Sequence, residues 1–163
     1  MAKRKTARPA VRRVRQAKAV LPVAVLTTRY VESSALVAAL LEHDAPARAS
    51  LRAPGRRVTS ALSLAEAARA IIRARATGRL PADKEPAAVR ALQVFAKRCD
   101  IVGVTDAILA RVGRPFPLEP LRTLDAVHLA TAEVLDDAPQ LVTIVTRDHR
   151  IRDNARALGF VVE

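Results

Sequence analysis

The chain has 163 residues and a mass of 17.6 kDa, enough for one ordinary domain with a real core, and its formal net charge is +12. Half of the residues are hydrophobic, but they are mainly Ala, Leu and Val, with one Tyr, three Phe and no Trp, so the core is expected to be aliphatic. The single Cys99 excludes an internal disulfide, and Cys99, His43, His128 and His149 lack zinc-site spacing, so a reducing, intracellular setting is expected.

Residues 1–28 carry eight of the 28 Lys and Arg and no acid; in residues 29–163 the other 20 face 16 Asp and Glu, a balance of only +4. The expected division is a flexible basic extension over 1–28 and one domain over 29–163. Such an extension either docks on nucleic acid by counterion release or serves as a disordered solubilising segment. The stretch 19–26 resembles the apolar part of a signal peptide only superficially, because it contains Pro22 and no small-x-small site follows directly; an Arg-rich, acid-free start also fits a transit peptide. No apolar run approaches the ~18 residues needed to span a bilayer. A soluble, cytoplasmic protein with no membrane partner is therefore expected.

In the body, a strand beginning near Arg29 leads through Tyr30 and Val31 into the turn Glu32-Ser33-Ser34, and 35–41 reads as a short helix capped by Ser33 or Ser34. A second strand is expected over 57–61. Ser63 is placed to cap a long helix reaching about Thr77 and stopped by Gly78 and Pro81. A helix over 85–97, a β-rich run over 101–104 and a helix over 106–112 follow. Thr123 is expected to cap an apolar helix over 124–135. Leu141-Val142-Thr143-Ile144-Val145 is nearly continuous in apolar and β-branched residues, the pattern of a strand buried on both faces of a parallel sheet. A helix from about Arg150 to Gly159 and a short strand over 160–162 complete the pattern. This alternation predicts a doubly wound, three-layer α/β/α sandwich on a central, mostly parallel sheet.

Ligands of open α/β sheets collect at the carboxyl ends of strands, near a reversal of strand order. Glu32 and Asp148 lie at two such ends, and Glu66 and Asp125 lie in the first turns of helices that begin there. Each acid also has a plainer reading. Asp125 suits the positive end of its helix. Glu66, opposite the apolar face formed by Leu64, Ala67, Ala68 and Ile71, suits a surface ion pair with Arg69 and Arg73. Asp148 suits a turn that caps the last helix. Against the plain reading of Asp125, Leu129 and Ala132 lie on its helix face, so a merely solvated acid would sit on an apolar stripe. Four converging carboxylates repel one another, and a hard divalent cation such as Mg²⁺ resolves the conflict. His128, one turn after Asp125, reads as a satisfied core histidine and is given no catalytic role. An acidic pocket in a basic protein suits cleavage of a polyanion.

The segments Tyr30-Val31-Glu32-Ser33-Ser34-Ala35-Leu36-Val37, Thr59-Ser60-Ala61-Leu62-Ser63-Leu64-Ala65-Glu66, Leu121-Arg122-Thr123-Leu124-Asp125-Ala126-Val127-His128-Leu129-Ala130-Thr131-Ala132 and Val145-Thr146-Arg147-Asp148 stand in an order that resembles the PIN-domain ribonucleases, above all the VapC-type toxins of toxin–antitoxin pairs. The resemblance covers about residues 29–163, and its third segment is the most specific. It implies a Mg²⁺- or Mn²⁺-dependent endoribonuclease with Glu32, Glu66, Asp125 and Asp148 as catalytic and metal-binding acids and with Ser33 and Thr146 in support. It further implies an RNA substrate, a small antitoxin partner and a homodimer. One position departs from the pattern: the family usually carries Asp where this chain has Glu32. The extra methylene, set against the tight octahedral geometry of Mg²⁺, points to a lower rate or to ligation through water. The alternative is a catalytically weak PIN-like module that binds RNA or protein through the extension and Arg69, Arg73, Arg75 and Arg147. An Asp phosphoacceptor on a similar fold is disfavoured, since the first strand does not deliver the paired acids of such domains.

Overall fold

A computed structural model describes residues 27–135 and 137–163, so all but the last two residues of the expected basic extension lie outside the described residues. Short runs rich in Val, Ile and Thr form five strands: β1 (Thr28–Val31), β2 (Arg56–Ser60), β3 (Asp100–Val102), β4 (Val142–Val145) and β5 (Val161–Val162). All pairings are parallel, in the order 3-2-1-4-5. At the centre, Tyr30 lies opposite Val58 and Ile144, and Val31 opposite Thr59 and Val145. Every residue of β1 and β4 is buried, and β4 accordingly reads as a nearly continuous apolar and β-branched run, whereas β1 also buries Thr28 and Arg29. The chain moves outward from β1 to β2 and β3, then returns past β1 to lay down β4 and β5. The reversal of strand order therefore falls between β1 and β4.

Among the described residues seven helices connect the strands: α1 (Ser33–Leu40), α2 (Ala45–Arg52), α3 (Ala61–Ala76), α4 (Glu85–Ala96), α5 (Asp106–Val112), α6 (Thr123–Glu133) and α7 (His149–Ala157). Alternation along the strands divides the core between the two faces of the sheet. Tyr30, Val58 and Ile144 pack with Ile108 of α5, Leu129 and Ala130 of α6, and Ile151 and Ala155 of α7. Val31 and Val145 pack on the other side with Leu36 of α1, Ala67 and Ile71 of α3, and Ala88 and Leu92 of α4. The result is the expected three-layer sandwich, with a sheet that is wholly parallel. Each fully buried Leu, Ile or Val contributes about 1.5–3 kcal/mol, so this aliphatic core suffices without Trp. No described helix is long and apolar enough to cross a membrane.

The expected elements are present, with local corrections. Helix α2 was not anticipated; its stripe is thin, with Ala47 its one fully buried residue, although Asp44 caps it and Pro46 stands in its first turn. Glu32 caps α1, in place of Ser33 or Ser34. Ser60 caps α3, in place of Ser63, because β2 passes into the helix without an intervening loop. Thr123 is already the first residue of α6, and Arg122 precedes it without a side-chain cap. Leu141 belongs to a 3₁₀ turn over Pro139–Leu141 rather than to β4, and the third strand ends at Val102. The loop that delivers α6 is fastened to α7 by buried Asn154, whose Oδ1 accepts from Leu118 N (2.9 Å) and whose Nδ2 donates to Leu118 O (3.0 Å).

Candidate active site

The crevice lies where strand order reverses, and Glu32 is the first residue past β1. Its backbone N–H still pairs with Val145 O (3.1 Å), which ties it to the end of β4. The longer side chain turns back to cap its own helix: Oε1 accepts from Ser34 N (3.0 Å) and Ser33 Oγ (2.5 Å), and Oε2 from Ser34 Oγ (2.5 Å) and Thr146 Oγ1 (2.9 Å). Glu32 is 2 % exposed, and this set of donors is what makes a buried carboxylate tolerable. Thr146 serves two acids at once, since its Oγ1 also accepts from Asp148 N (3.0 Å). Ser34 Oγ accepts from Arg147 N (2.7 Å), which locks the β4 turn against α1.

Glu66 makes no ion pair with Arg69 or Arg73. It is half-buried, and its Oε2 accepts from His128 Nε2 at 2.8 Å; the same nitrogen is 3.6 Å from Glu32 Oε1. Nδ1 of His128 faces the Tyr30 hydroxyl (3.1 Å), with Ser63 Oγ at 3.5 Å. Burial pushes the Glu66 carboxyl up, but the hydrogen bond and charge of His128 and a further bond from Ser33 outweigh it and leave the carboxyl below its ordinary range. Burial also pushes the Tyr30 phenol far above its ordinary value, so the hydroxyl keeps its proton. His128, set aside on sequence grounds, is thus the residue that joins Glu66 to Glu32. A signal was present: it lies three residues after Asp125, on the same face of α6.

Asp125 and Asp148 are less well supplied. Asp148 Oδ1 caps α7 by accepting from Arg150 N (2.7 Å) and Ile151 N (3.3 Å), as the turn reading expected. Asp125, in the first turn of α6, buries Oδ2 without a hydrogen-bond partner. Burial pushes its carboxyl up, and the charge of Asp148 pushes it further against the weaker pull of Arg122, His128 and Arg150. An orphaned carboxylate oxygen beside a second acid fits a divalent cation, which would supply the missing partner and cancel the repulsion. Glu32, Glu66 and His128 also bring ligand atoms within 4.8 Å of one another, and the carboxylate oxygens suit a hard ion. Glu66, Ser33 and Ser34 open on a crevice of about 710 Å³ whose walls include Arg69, Arg73, Leu124 and Arg147.

Comparison with known proteins identifies the family. The PIN domain family model matches residues 29–157. Ribonuclease VapC46 of Mycobacterium tuberculosis (strain ATCC 25618 / H37Rv) is 38% identical over 135 residues, 82% of this chain and 94% of that protein. Ribonuclease VapC35 of the CDC 1551 / Oshkosh strain is 36% identical over 137 residues, 82% of this chain and 93% of that protein. Among solved structures, VapBC2 from Rickettsia felis, bound to a DNA fragment from its promoter, is similar with a TM-score of 0.57 at 16% identity, over 83% of this chain and 97% of that one. PAE2754 from Pyrobaculum aerophilum is similar with a TM-score of 0.56 at 18% identity, over 90% of this chain and 92% of that one. These two likenesses speak to the fold alone. On the family model and the two ribonuclease relatives, the chain belongs to the PIN-domain family, in its VapC-type ribonuclease group.

Proposed function

We propose that the protein is a metal-dependent endoribonuclease that hydrolyses RNA phosphodiester bonds, with Mg²⁺ or Mn²⁺ as cofactor, and the toxin of a toxin–antitoxin pair. The observation that carries this reading is the chain of contacts running from Glu66 through His128, Glu32 and Thr146 to Asp148, beside a buried Asp125 oxygen that has no partner. Its ribonuclease relatives support the same chemistry. Asp125 and Asp148 are assigned the metal, Glu66 the orientation of the metal or of its water, and Glu32 a contact that is direct or through water. Ser33 and Thr146 hold Glu32 in place. A bound divalent ion would supply an activated water and charge stabilisation on the phosphate. By holding that ion, the acids would set where the scissile phosphate is bound, and the products carry 5′-phosphate and 3′-hydroxyl ends. The partner is a small antitoxin that offers Arg or Lys to the acidic crevice, the toxin is a homodimer, and it acts in the cytoplasm.

The test is incubation of the purified full chain with structured RNAs in Mg²⁺, Mn²⁺ or chelator. Cleavage is expected with either metal and none with chelator. Asp125→Asn is expected to lower the rate by more than the roughly 10–100-fold that loss of a supporting residue costs, with unchanged circular dichroism. Undiminished cleavage by that variant would remove Asp125 from the mechanism, and intact RNA under all conditions would leave the weak RNA- or protein-binding module.

A further inference from the structure

Helix α3 runs outward from the acidic pocket, and Leu62, Glu66, Arg69 and Arg73 recur along the face that lines the crevice. Sequence spacing offers Glu66 as the ion-pair partner of Arg69, three residues on. The structure gives Glu66 to His128 instead, at 2.8 Å, and neither Arg69 nor Arg73 has a carboxylate within ion-pair distance among the described residues. Two other arginines of this region are engaged by acids: Arg75 faces Glu85 (3.6 Å), and Arg147 is held by Asp44 (3.1 Å). Arg79 bonds Thr77 and lines both this crevice and a second groove of about 1030 Å³. That groove carries Arg48, Arg52, Lys84 and Arg98 and no acid, and Glu42 is the one acid besides Glu66 lining the first.

Two exposed guanidinium groups on one helix face, with a third beside them and none of the three in an ion pair among the described residues, are unexplained by the stability of the fold. They are explained by a polyanion that enters at Glu66 and leaves along α3. We propose that Arg69, Arg73 and Arg79 form the phosphate track for the single-stranded RNA that flanks the cleaved bond on this side. This deepens the ribonuclease reading and rests on it. At about 1.5 Å per residue, Arg73 lies roughly 10 Å along the helix from Glu66, which exceeds the ~3.4 Å axial phosphate spacing of one strand of a duplex. The track therefore meets phosphates beyond the scissile one.

The experiment measures binding of a short fluorescent single-stranded RNA to full-length Asp125→Asn protein at several salt concentrations. Adding Arg69→Gln and Arg73→Gln together is expected to weaken binding and to reduce the slope of log affinity against log salt by about 1.4, that is, about 0.7 for each phosphate no longer neutralised. Arg75→Gln, which removes an arginine already engaged by Glu85, is expected to leave the slope unchanged. An unchanged slope in the double variant, or an equal drop in Arg75→Gln, overturns the track. Tighter binding of poly-glutamate than of RNA overturns it too, in favour of a protein-docking face. Wild-type protein assayed in parallel with Mn²⁺ separates the two readings: cleavage with an unchanged slope refutes the track alone, and absence of cleavage refutes the ribonuclease.

Discussion

The acids of the candidate site fall into two groups that are built differently. On the β1 side, Glu32 receives four hydrogen bonds and Glu66 is held by a buried histidine that is itself held by Tyr30. On the α6 side, Asp125 has a buried oxygen with no partner and an acidic neighbour in Asp148. The first half is satisfied by the protein alone. The second is only partly offset by the charges of Arg122, His128 and Arg150, so under the proposed function it is the half that would draw a cation, with Glu32 acting more as a scaffold.

Opposite changes in stability follow from that contrast. Glu32→Ala strips a cap and leaves buried hydroxyls and the Ser34 N–H to find new partners, and it is expected to cost about 2 kcal/mol, seen as a fall of several degrees in melting temperature. Asp125→Asn is expected to raise the melting temperature of the metal-free protein slightly at neutral pH. The sign follows from the raised folded-state pKa of Asp125: its charged form costs stability above that pKa, and the cost disappears as pH falls through it. Added Mn²⁺ should stabilise the wild type and leave Asp125→Asn nearly unmoved. If Asp125→Asn melted lower and Glu32→Ala higher, the assignment of the two halves would be reversed.

His128→Ala sharpens the same division within the satisfied half. Without the imidazole, Glu66 loses the bond that holds it below its ordinary pKa range, and the Tyr30 hydroxyl loses a partner in the core. Cleavage and Mn²⁺ affinity are each expected to fall roughly 10–100-fold, as for residues that orient a ligand without touching the reacting atoms. Wild-type metal affinity in this variant, measured by calorimetry, would reduce His128 to packing.

Much of the scaffold was legible because its signals are local. The run 141–145 announced a buried parallel strand, and Gly78, Gly113 and Gly159 stand just past the ends of the helices they were expected to close. Helix α2 escaped because it is short and mostly small or polar, with only Ala47 and Leu51 packed inward, so the segment reads as a loop. The sequence placed Glu32 and Asp148 at strand ends and Asp125 in a first turn, as observed, whereas Glu66 lies in the second turn of α3 because that helix begins at Ala61. What Glu66 and His128 do to each other was not legible, because a contact between residues 62 positions apart depends on how α3 and α6 cross the sheet edge, whereas the Glu66–Arg69 spacing is visible in any helical register. Nor does spacing show that an extra methylene lets Glu32 fold back onto Ser34, which only the geometry of the turn decides.

The smallest expected effect lies behind the satisfied half. Glu163 N donates to Ile144 O and Glu163 O accepts from Thr146 N, both at 3.0 Å, so this residue extends the ladder to the threonine that holds Glu32. Its carboxylate meets the buried Arg29 guanidinium, with Nη1–Oε1 at 3.1 Å and Nη2–Oε2 at 2.5 Å, and this bond holds the acid below its ordinary value of 4.5 against the opposing effect of burial. A depressed folded-state pKa contributes stability that is complete above the unfolded value and is lost as pH falls through the folded one. Glu163→Gln is therefore expected to destabilise by about 1 kcal/mol at pH 7, since solvent reaches the carboxylate, and to match the wild type once both are acidified below the folded pKa. Because the backbone bonds to Ile144 and Thr146 survive the change, metal-dependent cleavage should stay within about twofold of wild type. A larger loss of activity at pH 7 would mean that the Arg29 pair, and not the backbone ladder, sets the position of Thr146.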